Sequence, residues 1–147
     1  MSDPHPTPRP NPMQRFAITA DEITRVLDVF YTRVRHHPEL GPVFNAHIGT
    51  TDAEWGEHIE KINRFWRNAI LRERVYDGNP MRVHVNAPDI KTNHFTPWLG
   101  IFEEVLRTEL SPEIAGSWLA LAQRIGRGFQ MQMEDMRRPA SEVPKLF

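Results

Sequence analysis

Apolar residues recur at helical spacing in four long stretches of this chain, and no stretch alternates as a half-buried strand would. The first stretch is "ITADEITRVLDVFYTRVRHHP", where Ile23, Val26, Leu27, Phe30 and Val34 fall on one face. Thr19 and Glu22 have the spacing of a capping box, and Ile18 and Ile23 that of a hydrophobic staple. Pro38 ends the helix. "ELGPVFNAHIG" then reads as a tight corner, with Phe44 its one large apolar anchor. The second stretch, "TDAEWGEHIEKINRFWRNAIL", opens on another capping box, with Thr51 as N-cap and Glu54 three residues later. Its stripe is Trp55, Ile59, Ile62, Phe65, Trp66, Ala69 and Ile70, with His58 inside it. A helix of about 20 residues, or ~30 Å, is expected.

A shorter segment follows, "YDGNPMRVHVNAP". Asp77-Gly78 signals a turn, Asn79 can cap, and Pro80 suits a first helical position. Pro88 disfavours helical geometry at Ala87. Between them lies room for little more than Met81 to Asn86, and Met81 and His84 share a face. "NHFTPWLGIFEEVLRTEL" is the third long stretch, carrying Trp98, Ile101, Phe102, Val105 and Leu106, with Pro97 required in its first turn. Ser111-Pro112 opens the fourth, with Trp118, Leu121, Ala122, Ile125, Phe129 and Met133.

The flanks lack this periodicity. Prolines at positions 4, 6, 8, 10 and 12 make residues 1–17 an extended or disordered tail. A solvated tail is the simpler reading, and a proline-binding partner the alternative. "RRPASEVPKLF" reads as equally unpacked. The expected organisation is a tail over 1–17, one all-α domain over 18–135, and a flexible end over 136–147.

Charge and composition then narrow the function. Eighteen basic and 19 acidic residues leave a formal net charge of −1, so no basic excess points to nucleic acid or an anionic membrane. The absence of cysteine excludes disulfides, thiolate metal sites and covalent haem attachment through C-x-x-C-H. No apolar run approaches the ~20 residues of a membrane span, and no secretory signal is evident. A cytoplasmic location is the default expectation.

The seven histidines carry the remaining chemistry. His5 lies in the tail, His47 in the corner, and His36 and His37 at a helix end where imidazolium suits the dipole. His58, on an apolar face, reads first as a hydrogen-bonded core histidine. His84 is different, because so short a helix is unstable alone. Packing of Met81, or a bond from the imidazole to a metal, would hold it. His94 reads as a polar rim residue rather than a ligand. Zinc would want three or four clustered ligands, and no H-E-x-x-H is present. Haem asks less: one imidazole on one side and an apolar slot, which Phe44, Phe65, Trp66, Trp98 and Phe102 could line.

The segments "FYTRVRHHPELGPVFNAHIG", "EWGEHIEKINRFW", "YDGNPMRVH" and "HFTPWLGIFEEVL" together resemble the third group of truncated haemoglobins, over about residues 18–133. The resemblance implies a globin-like two-over-two helical sandwich, four long helices plus a short proximal one, around non-covalent haem b. It implies His84 as the proximal iron ligand. It implies Tyr31, His58 and Trp98 as the polar distal set, and Phe44 and Ile62 as apolar neighbours of the haem. Pro97, immediately before Trp98, departs from the family's pattern. The implied function is binding of a diatomic gas, O2 first among O2, NO and CO. The resemblance further favours NO dioxygenation or peroxide chemistry, for which an external reductase would be a partner. A gas sensor or store without turnover, and a haem-free helical adaptor, are the competing classes.

Overall fold

Both expected capping boxes close in the computed structural model, which describes residues 13–137. The Glu22 N–H donates to the Thr19 hydroxyl at 3.1 Å and the Thr19 N–H to the Glu22 carboxylate at 3.0 Å, starting α1 (Ala20–Arg35). Ile23, Val26, Phe30 and Val34 are fully buried, so the face read from the sequence is the one that packs.

The segment expected as a corner is instead a helix, α2 (Leu40–Ile48). Pro42 does not prevent it, because the third helical position has no intrahelical N–H bond to lose. Gly41 lets α2 start against the end of α1, since a Cβ there would lie 2.8 Å from the Arg35 carbonyl oxygen. Gly49, at φ +119°, ends it, where a side chain would strike the Glu54 carboxylate. Leu40 is fully buried, so Phe44 is not the segment's one anchor. His37 also departs from expectation. Its Nδ1 accepts the Glu39 and Leu40 N–H groups at 3.1 and 3.0 Å, so it caps the start of α2.

The Thr51–Glu54 box opens α3 (Asp52–Trp66) with bonds of 3.2 and 3.3 Å. A π-helical turn over Arg67–Leu71 continues it, ending at Arg72 in the left-handed conformation. Then follow α4 (Pro80–Val85), a 3-10 turn over Thr92–His94, α5 (Phe95–Glu109) and α6 (Pro112–Arg137). Pro97 is the third residue of α5, as its chemistry requires.

Helix α1 packs on α3 and on α5, and α5 on α6, so two helix pairs are stacked, with α4 laid against α6. Aromatic rings bind the layers at the centre. Phe30 meets Phe102 edge-on at 4.9 Å, Trp66 stacks on Phe102 at 6.0 Å, and Trp118 meets Phe102 edge-on at 5.4 Å. Among the described residues, no helix is long and apolar enough to cross a membrane.

Both expected domain edges need adjustment. Residues 13–17 dock on the body: the Arg15 N–H and Nε donate to the Ile70 and Ala69 carbonyls at 2.9 Å each, and Phe16 packs against the core. Helix α6 continues through Met136 and Arg137, two residues past the expected boundary at 135. The five prolines at positions 4–12 and the end beyond 137 lie outside the described residues.

Candidate functional site

The stacked helices leave a cavity of about 800 Å³, part of it open to solvent. Eight residues singled out from the sequence line it: Tyr31 from α1, Phe44 from α2, His58, Ile62, Phe65 and Trp66 from α3, His84 from α4, and Trp98 from α5. Phe102, also offered as a lining residue, is instead fully buried behind Trp98, whose ring stacks on it at 5.2 Å. Residues the sequence reading did not assign to the site complete the lining, among them Pro80, Ile90, Phe95 and Gly126.

The short helix is held at both ends. At its start, Asn79 Oδ1 accepts the Arg82 N–H at 3.0 Å, and Pro80 occupies the first helical position. Beyond its end, Arg137 donates to the carbonyls of His84, Ala87 and Ile90 at 3.0, 2.7 and 2.6 Å. A guanidinium from the end of α6 thereby adds a donor to the His84 and Ala87 carbonyls, which also accept backbone N–H groups, and supplies one to the Ile90 carbonyl. This single residue answers what braces α4, and the sequence reading had placed it in the unpacked end.

His84 Nδ1 lies 2.6 Å from the Pro80 carbonyl oxygen. A carbonyl only accepts, so Nδ1 carries the proton, and the Nε2 lone pair is left free. Burial holds the imidazole below its usual pKa, against the Pro80 hydrogen bond that favours the cation. The ring packs between Phe129 at 5.0 Å and Phe95 at 6.0 Å. His84 is thus a neutral, oriented nitrogen donor on an apolar wall.

The polar groups from α1, α3 and α5 have the opposite character. The Tyr31 side chain is buried, and burial alone pushes its phenol far above the usual value, so it stays an O–H donor. His58 Nε2 is buried with no hydrogen-bond partner. Burial first, then the charges of Lys61 and His84, lower the His58 pKa to about 4, so the ring is neutral near pH 7. It is wedged edge-on among Tyr31, Trp55 and Phe44 at 5.4, 6.1 and 6.5 Å. Trp98 is fixed against Phe30 and Phe102 at 5.0 and 5.2 Å. Unpaired donors beside an oriented lone pair are what a polar ligand on a metal would engage.

The other histidines are used elsewhere. His36 Nδ1 donates to the Thr32 carbonyl at 2.8 Å, and His47 Nε2 lies 2.7 Å from Asp89 Oδ1. His94 does reach the cavity edge, where its Nδ1 accepts the Lys91 N–H at 3.0 Å. Among the described residues, no group of three or more His, Cys, Asp or Glu could hold a metal ion by itself. A macrocycle that brings its own metal ligands and needs one imidazole fits this donor set.

Over 113 residues the chain is 39% identical to the group 3 truncated hemoglobin ctb of Campylobacter jejuni, covering 77% of this chain and 89% of that protein. The chain belongs to the group III truncated haemoglobins. The crystal structure of group III truncated hemoglobin from the same organism agrees with the fold at a TM-score of 0.77 and 37% identity, over 82% of this chain and 95% of that one. No family model matches the chain. The two-over-two sandwich is therefore the globin fold of this family, and haem-based binding of diatomic gases is the activity the family supports. In this truncated haemoglobin the cavity residues read from the sequence are brought together, whereas the Arg137 brace had no local signal. Its acceptors lie 47 to 53 residues away.

Proposed function

We propose that the cavity holds haem b without a covalent link, that His84 Nε2 is the proximal ligand, and that the protein reversibly binds a diatomic gas, O2 before NO or CO. The observation that carries this reading is the His84–Pro80 hydrogen bond, which leaves one oriented lone pair in a cavity that also holds the unpartnered His58 Nε2. Bound haem would supply the metal that takes the gas. Tyr31 and Trp98 donate hydrogen bonds to a ligand that carries partial negative charge, and the packed rings around them hold both donors in place. His58 is neutral and controls the approach from α3. The apolar lining from Phe44, Ile62, Phe65 and Trp66 excludes water from the slot. Donors placed this way also suit NO dioxygenation or peroxide chemistry, with electrons from an external reductase.

Stopped-flow dissociation of O2 tests the assignment. A hydrogen bond to a charged acceptor is worth about 1.5–3 kcal/mol, so Tyr31→Phe should speed O2 dissociation roughly 10- to 100-fold. His58→Ala should mainly speed ligand access. Unchanged dissociation in Tyr31→Phe, with strong acceleration in His58→Ala, would reverse the two roles.

A further inference from the structure

A second cleft lies across α6 from the haem cavity. Ser117, Ala120, Leu121 and Arg124 of α6 line it together with Arg15 and Phe16 of the docked N-terminal segment, around about 690 Å³ of space open to solvent. Ala122, Gly126 and Phe129 face the haem cavity from the other side of the same helix. Among the described residues, no acidic residue lines the cleft.

The charges there are one-sided. Arg25, Arg33, Arg35, Arg64, Arg67 and Arg107 each pair with a carboxylate. Among the described residues Arg15, Arg72 and Arg124 pair with none, although Arg72 and Arg124 are each close enough to act on the charge of Arg15. Burial first, then the charges of Arg72 and of Arg124, hold Arg15 below its usual pKa. Arg15 is also fixed in orientation. Its backbone N–H and Nε are committed to the Ile70 and Ala69 carbonyls, leaving its two terminal nitrogens without a partner. Arg72 is the left-handed residue that ends the π-helical turn. Two cations, Arg15 and Arg124, line a cleft in which the described residues place no counter-charge, with the Ser117 hydroxyl between the same walls and the charge of Arg72 close enough to act on Arg15, and together they form a receptor for a compact oxyanion.

We infer that the cleft between the N-terminal segment and α6 is an oxyanion site of the phosphate class, built by Arg15, Arg124 and Ser117, with Arg72 adding its charge from beside it. A bound dianion would relieve the repulsion and staple residues 13–17 to α6 and to the π-helical turn. The site is separate from the haem cavity, so its failure or success leaves the gas-binding reading untouched.

The test uses the full-length haem-loaded protein and inorganic phosphate, against sodium chloride at equal ionic strength. At 20 mM phosphate, a millimolar-range site should raise the melting temperature by about 2–4 °C above the chloride control. In the Arg72→Gln/Arg124→Gln double variant the rise should fall below about 1 °C, with an unchanged Soret band showing that the haem cavity is intact. An equal rise in chloride, or an undiminished rise in the double variant, overturns the site. Binding of an acidic peptide through these arginines without any phosphate effect would also overturn it, and would assign the cleft to a protein partner.

Discussion

The two walls of the haem cavity are built on opposite principles. On the His84 wall, the surrounding protein satisfies almost everything. Asn79 caps the start of α4, Arg137 braces its end, and the Pro80 carbonyl takes the Nδ1 proton. One lone pair is left over. On the facing wall, polar groups are buried among rings and left unpaired, as with His58 Nε2. The first wall specifies a bond in advance. The second stores unmet hydrogen-bonding capacity, which destabilises the empty protein and favours a polar ligand. The difference explains how a six-residue helix can carry the proposed metal ligand: its stability comes from partners distant in sequence rather than from itself.

The largest effect on this contrast should come from acid. The folded-state pKa of His58 is depressed from 6.5 to about 4. Between those values the unfolded chain binds the proton and the folded chain does not, so stability falls as pH drops from 6.5 towards 4. The shift corresponds to at most roughly 3 kcal/mol. His58→Leu should remove most of that His58-linked loss. Denaturant unfolding at pH 7 and pH 4.5 measures it, and an equal acid loss in both proteins would show that the unpaired wall is not what acid attacks.

The brace on the other wall comes next. Arg137→Ala removes three hydrogen bonds from the end of α4 and the following loop and leaves the Ile90 carbonyl without its donor, while the His84 and Ala87 carbonyls keep backbone donors. A stability loss of about 1–2 kcal/mol is expected, with faster haem transfer to an acceptor protein. Normal haem retention would show that α4 does not depend on the brace. Asn79→Ala should cost less, about 1 kcal/mol, because it removes a single cap. Amide hydrogen exchange confined to α4 would separate that fraying from global unfolding.

These two walls were not equally legible in the sequence. Thr19–Glu22, Thr51–Glu54 and Asn79-Pro80 are local signals, and each became the predicted helix start. The apolar stripes located the cavity because the same faces that bury Phe30 and Phe102 present Tyr31 and Trp98 beside them. Helix α2 was missed because Gly41, Pro42 and Gly49 resemble turn residues. Their actual roles, a close approach to α1, a first-turn proline and a positive-φ stop, appear only in three dimensions. Arg137 was missed for a related reason. Its neighbours in sequence look unpacked, and its meaning lies in carbonyls far up the chain. The fixed tautomer of His84 depends on the Pro80 carbonyl one turn back and appears only once the helix is built.

Resonance Raman spectroscopy of the ferrous, ligand-free protein tests the central claim most directly. Wild type should show an iron–histidine stretching band. His84→Ala should lose that band together with much of its haem affinity, and added imidazole should restore an iron–imidazole band. A His84→Ala protein that keeps normal haem retention and an unchanged iron–histidine band would contradict the account, placing the ligand on another histidine of the cavity.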